Sequence, residues 1–132
     1  MAKKFSFYVK VYYEDTDSGG VVYYANYLKF LERARSEAIY SLGFTNSSIL
    51  KTFGILLIVK SCNIEYKKPA KFEDRLEIKS EIKSLTKTSF LMRQIISRDN
   101  ELISDAEIHL VAVDKNGKPS KIPEELKKKL EN

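Results

Sequence analysis

The spacing of hydrophobic positions changes period once, early in the chain, and so marks out its first two elements. Phe5, Phe7, Val9, Val11 and Tyr13 alternate with Ser6, Tyr8, Lys10 and Tyr12, the period of two expected of a half-buried strand. Beyond a glycine-containing turn, Tyr27, Leu31, Ala34, Ala38 and Leu42 recur at helical spacing, with Leu28 and Ile39 widening the stripe. Asn26 is placed to cap this helix and Gly43 to terminate it. Glu32 with Arg35, and Arg33 with Glu37, are spaced to pair across its turns. A short second helix is predicted from Ser47 to Phe53, stopped by Gly54.

Four strand-like segments follow. The first, residues 55–66, opens with the run Ile55-Leu56-Leu57-Ile58-Val59, which predicts burial on both faces at that end. Leu76, Ile78 and Ile82 alternate with charged residues, Phe90, Met92 and Ile96 continue the pattern, and Leu102 to Val113 supplies the last long strand. Asn116-Gly117 marks a turn, and Pro123 opens a short charged helix to the C-terminus. The order predicts an α+β architecture: a five-stranded antiparallel sheet, its last four strands a meander, with one long helix across its concave face. No repeat or linker divides the chain, so residues 1–132 are expected to form a single domain. Long edge strands invite pairing with a second copy, and a homodimer or homotetramer is expected.

Composition narrows the setting more than the architecture. Apolar residues make up 43% and charged residues 31% of the 132, as in ordinary globular proteins. The single cysteine, Cys62, excludes an internal disulfide framework and fits a reducing compartment. Lys3 and Lys4 precede an alternating strand, not the apolar core of a signal peptide. No apolar run reaches the ~20 residues of a membrane helix, so a cytoplasmic protein with no membrane span is expected. Much of the net charge of +5 lies in Lys115, Lys118, Lys121 and Lys127 to Lys129, with Glu124 and Glu125 among them. Such a run is either a solvated helix face or a patch for an anionic partner. No aromatic residues interleave with the lysines, so no nucleic acid partner is expected.

Candidate chemistry gathers between the first strand and the first helix, in Tyr13 to Phe30. Asp15 and Asp17 precede Gly19 and Gly20, and Tyr23, Tyr24 and Tyr27 follow. A carboxylate on a turn before a helix stands beside the helix's unsatisfied N–H groups. Glycine lets the backbone pass close under a ligand, and the tyrosines are placed to line a pocket. The competing reading is an Asx-turn or cap with no chemical role. Calcium is not expected, because the twelfth position from Asp15 is Asn26 where a bidentate glutamate is needed, and the fifth is Gly19. His109 and Cys62 are too isolated to predict a transition-metal site. A serine hydrolase would need a G-x-S-x-G elbow and a histidine base, and no phosphate-binding or dinucleotide fingerprint is present.

The segment VYYEDTDSGGVVYYANYLKFLERARSEAI closely resembles the signature of the hotdog-fold 4-hydroxybenzoyl-CoA thioesterase superfamily, particularly the YbgC-type acyl-CoA thioesterases. Tyr66, Pro69-Ala70 and Asp74 resemble that family's turn after the second strand. The resemblance implies a hotdog fold, with the sheet wrapped around the long helix, and cleavage of an acyl-CoA or acyl carrier protein thioester without a metal. No separate cofactor is implied, since coenzyme A enters with the substrate. It further implies Asp17 as nucleophile or general base and a backbone N–H near Tyr24 as the group polarising the carbonyl. Tyr13, Gly20, Tyr23, Asn26 and Tyr27 are the expected substrate contacts, and Lys67, Lys68, Lys71 and Arg75 the expected cations for the phosphates of coenzyme A. YbgC-type members usually carry histidine where this chain has Tyr24, and tyrosine is a poor base at neutral pH. A non-catalytic acyl-thioester-binding scaffold is the alternative function.

Overall fold

The computed structural model describes residues 3–131. The period-two segments become β1 (Lys4–Lys10), β2 (Leu56–Tyr66), β3 (Arg75–Leu85), β4 (Ser89–Arg98) and β5 (Glu101–Val113). The helical segments become α1 (Asn26–Ser41), α2 (Asn46–Phe53) and α3 (Glu124–Glu131). Gly54 ends α2 with φ 71°, and Gly43 follows α1 with φ 94°, left-handed values that release the last carbonyls to turn hydrogen bonds. Pro123 accepts from Lys127 N–H at 2.9 Å at the start of α3. Asn132, the end of the predicted C-terminal helix, lies outside the described residues.

All strand pairs are antiparallel, but the order is β1-β3-β4-β5-β2. The expected meander therefore holds only for β3, β4 and β5. β2 pairs with β5, and the link from residue 67 to 74 carries the chain across to β3, next to the far edge strand β1. On the way, Ala70 accepts from Val22 N–H at 2.8 Å, Phe72 N–H donates to Gly20 at 3.2 Å, and Glu73 N–H donates to Val11 at 2.9 Å. Hydrophobic period fixes which face a residue takes and carries no information about the partner strand.

As an edge strand, β2 also departs from its predicted burial. Ile55 is buried, but Leu56, Ile58 and Val59 are each more than 40% exposed. An apolar run of this kind fits a central strand buried on both faces, whereas here one edge and much of both faces stay open.

One core joins the sheet to all three helices: Phe30 and Leu31 of α1, Ile49 of α2, Leu126 and Leu130 of α3, and Ile78, Ile96 and Ile108 of the central strands. α1 buries Tyr27, Phe30, Leu31, Ala34, Ala38 and Ile39. Its stripe is thus rotated from the predicted one, with Phe30 inside and Leu28 46% exposed. The two ion pairs predicted along α1 are not formed: Glu32 accepts from Ser36 Oγ, and Arg35 turns inward to Gln94 Oε1 at 3.1 Å. Gln94, fully buried, donates in turn to Leu31 O at 3.0 Å and Ser80 Oγ at 2.9 Å. This bond fastens the middle of α1 to β4. Among the described residues no helix is long and apolar enough to cross a membrane.

Candidate active site

Between β1 and α1 the chain makes a small hairpin-like excursion. Asp17 N–H donates to Val21 O at 2.9 Å and Gly20 N–H to Asp17 O at 3.1 Å, closing a turn over Ser18 and Gly19. Gly20 has φ 79°, a conformation that costs a residue with a Cβ about 1–2 kcal/mol. Gly20→Ala is therefore expected to lower the urea midpoint by the equivalent of about 1 kcal/mol although a Cβ there meets open space. An unchanged midpoint would show that the turn relaxes at no cost.

The two acids that the sequence left equivalent are separated here. Asp15 is 7% exposed. Its Oδ2 accepts from Tyr12 N–H at 2.9 Å, and its carbonyl accepts from Tyr23 N–H at 3.0 Å and Asn26 Nδ2 at 2.9 Å. Asp15 thus anchors the excursion to the start of α1. Asp17 is exposed, and its Oδ1 accepts from Gly19 N–H at 2.9 Å while its Oδ2 takes no hydrogen bond among the described residues. The Asx-turn is present, yet half of the carboxylate stays open.

α1 begins without a side-chain cap, since its N-cap is Ala25. Asn26, predicted as that cap, is the first helical residue and spends its amide on Asp15. Asn26, Tyr27 and Leu28 N–H groups donate to the carbonyls of Tyr23, Tyr24 and Ala25. The N–H groups of Tyr24 and Ala25 have no acceptor among the described residues. They form the positive end of the helix dipole.

Around these donors the tyrosines take different parts. Tyr24 is 62% exposed, with its ring 4.9 Å from that of Tyr23 and edge-on to that of Tyr66 at 6.3 Å. Tyr66 Oη donates to the Tyr24 carbonyl at 3.1 Å, and burial pushes its phenol above the ordinary tyrosine value, keeping it a donor. Tyr27, an expected substrate contact, is 3% exposed, and its hydroxyl accepts from Ala70 N–H at 3.0 Å. It packs the link against α1 and does not face an open site. Tyr13, the most exposed, stacks on Phe72 with centroids 4.0 Å apart.

Three of the four cations expected to meet coenzyme A are already engaged. Lys67 pairs with Glu65 at 2.9 Å, Lys68 with Glu101 at 2.6 Å, and Arg75 stands 4.8 Å over the Tyr8 ring. Lys71 makes no ion pair among the described residues and lies on the link beside Phe72. Asp74 Oδ2 accepts from Lys71 N–H at 2.8 Å and from Arg98 at 2.6 Å, pinning the link to the end of β4. His109 and Cys62 fall on opposite faces of the sheet, since their register partners on neighbouring strands alternate. Among the described residues no three His, Cys, Asp or Glu stand together in a metal-binding group.

Sequence reasoning did not assign the positioning bond of Tyr66 or the anchoring of Asp15. Both rest on contacts between distant segments, and only the Tyr66–Pro69–Ala70 pattern hinted at the first. Chemically, the excursion offers an open carboxylate oxygen and a pair of unbonded N–H groups on neighbouring backbone. Such a set suits attack at a carbonyl whose oxygen becomes negative.

Comparison with known proteins points the same way. The sequence profile of the Thioesterase-like superfamily matches residues 11–130. The acyl-CoA thioesterase YbgC of Haemophilus influenzae is 40% identical over 124 residues, covering 93% of this chain and 91% of that protein. The acyl-CoA thioester hydrolase YbgC of Escherichia coli is 40% identical over 120 residues, 89% of each. Among solved structures, a probable thioesterase from Bartonella henselae superposes with a TM-score of 0.88 at 33% identity, covering 92% of this chain and all of the other. The α+β sheet and helix arrangement is that of the hotdog thioesterases. The chain belongs to the thioesterase-like superfamily and, within it, to the YbgC-type acyl-CoA thioesterases.

Proposed function

We propose that this chain hydrolyses acyl-CoA thioesters to a free acid and coenzyme A, using Asp17 and the start of α1. The observation that carries this reading is the open Oδ2 of Asp17 on a turn that leads directly into the unbonded Tyr24 and Ala25 N–H groups. The thioester oxygen takes its place against those donors, one of which contributes about 3 kcal/mol to the transition state in comparable sites. Asp17 then acts in one of two ways. It attacks the carbonyl carbon, forming a mixed anhydride as the C–S bond breaks and the thiolate leaves, and water cleaves the anhydride. Alternatively it takes a proton from water as that water attacks. Both routes consume one water and end with acid and thiol. Tyr66 acts as a positioning residue by holding the Tyr24 carbonyl, and Lys71 is the cation open to a phosphate of the substrate.

Edge strand β2 supports a second part of the proposal, a homodimer. Leu56, Ile58, Val59 and Tyr66 are exposed along an unpaired edge, which a second copy would cover by extending the sheet.

A thiol-release screen over short, long and aromatic acyl-CoAs tests the activity. Release is expected from at least one class, and Tyr24→His is expected to raise kcat several-fold by placing a group with a pKa near neutrality at the helix start. Binding of acyl-CoA with no thiol release from any thioester would return the chain to the non-catalytic scaffold reading.

A further inference from the structure

Under the C-terminal half of α1 lies a half-open cavity of about 640 Å³, within the range of small-molecule sites. The sheet side of its lining is apolar: Leu57, Val59, Ile82, Phe90, Met92 and Leu110. Four charged residues of α1 share the lining, and of these Glu32, Arg33 and Glu37 are exposed while Arg35 is half-buried. Among the described residues Arg35 makes no ion pair. Its one hydrogen bond runs from Nη1 to Gln94 Oε1, and Gln94 is locked by Leu31 O and Ser80 Oγ. The charged and titratable groups acting on it are Glu32 and the Cys62 thiol, and burial pushes the guanidinium below its ordinary value. Glu32 is exposed and already bonded to Ser36.

A cation drawn into an apolar wall is costly unless an anion meets it. With Nη1 held by Gln94, the Nε and Nη2 edge of Arg35 remains for the two oxygens of a carboxylate. The rotamer is fixed in advance by a fully buried amide, which is how a binding group is preorganised rather than left to solvent.

The position of Arg35 says which carboxylate. Arg35 lies nine positions along α1 from Asn26, an axial rise of about 14 Å. The acid produced at the thioester end would be too far away to reach it. Between the two, Tyr66, Ile64 and Cys62 lie on the helix side of β2, opposite the buried Ser104, Ala106 and Ile108. This row of side chains starts at the Tyr24 ring, which Tyr66 meets edge-on, and ends at Cys62, whose thiol acts on Arg35.

We propose that Arg35, positioned by Gln94, binds a carboxylate at the far end of the acyl group, so that the preferred substrates are ω-carboxyacyl thioesters of coenzyme A. This inference rests on the thioesterase reading for its kinetic arm only. Straight-chain acyl-CoAs and their ω-carboxy counterparts of matched length serve as paired substrates. Wild type is expected to favour the ω-carboxy member by about 10- to 100-fold in kcat/KM at its best length, the usual worth of a hydrogen bond to a charged group. Arg35→Met is expected to erase that ratio while sparing or raising the rate on the plain member, and Arg35→Lys to keep part of it.

Equilibrium binding of the same pairs to the Asp17→Asn protein supplies an arm that needs no turnover. An ω-carboxy preference there that Arg35→Met removes supports the proposal even if no thioester is cleaved. A ratio near one at every length overturns it, whether or not thiol is released, and this holds on the wild-type ratio alone if Arg35→Met does not fold. An unchanged ratio in Arg35→Met with weakened self-association would assign Arg35 to a subunit contact and also overturn it.

Discussion

Asp17→Asn is expected to lower kcat for thiol release by about 10²- to 10⁴-fold, the range of a positioned acid–base group, with KM for the acyl-CoA little changed. The substitution is well suited to isolating chemistry from structure. Asparagine keeps an Oδ1 that can accept from Gly19 N–H, the one hydrogen bond the Asp17 side chain makes. Its thermal midpoint should therefore match that of the wild type. A loss of less than tenfold would remove Asp17 from the chemistry and leave the helix-start donors as the main contributors. The neighbouring acid makes the control. Asp15 is buried and holds Tyr12 N–H through its Oδ2, so changes there should register in stability as well as in rate, because the excursion itself would shift.

Phe30→Ala carries the largest expected cost in stability. Its ring is fully buried in the N-terminal half of α1 and meets that of Tyr27 edge-on at 6.4 Å. Truncation to alanine at such a site costs about 3–5 kcal/mol, against the ~5–15 kcal/mol that holds a typical domain together. Urea denaturation should show the midpoint falling accordingly with little change in slope. A loss near 1 kcal/mol would mean that the space under α1 closes up when the ring is removed.

Phe30 also shows where the sequence was hard to interpret. The helical period runs through Tyr27, Leu31, Ala34 and Ala38, all of which are buried, and of the two residues that widen it Ile39 is buried and Leu28 is exposed. Leu28 and Phe30 both lie beside the stripe, and the packing of α1 against the sheet buries Phe30. Helix ends were more legible, because Gly43 and Gly54 take the left-handed conformation that glycine serves best. Strand pairing was not legible. Alternation placed Leu76, Ile78 and Ile82 inside correctly, yet nothing local to residues 56–66 says that their partner is β5 rather than β3. At the site, residue chemistry alone left Asp15 and Asp17 as alternatives. The family signature selects Asp17; in the fold Asp15 is buried with its carboxylate on Tyr12 N–H, and Asp17 is exposed. The inward turn of Arg35 was hidden by a sequence spacing that offered Glu32 as a simpler partner.

The order of the sheet has a consequence for how this chain is made. β1 pairs with β3 through Lys4 and Glu81, and β2 pairs with β5 through Leu56 and Val113. Synthesis runs from the N-terminus, so both edge strands emerge long before their partners exist. The apolar run of β2 has to wait for nearly sixty further residues before it can be covered, a period in which nascent chains are most exposed to aggregation and to chaperones. Tyr66 ends that strand, so the bond that steadies the Tyr24 carbonyl comes from a strand whose place in the sheet depends on β5. A ribosome that stalls short of residue 113 would release a chain carrying every candidate site residue and no assembled site.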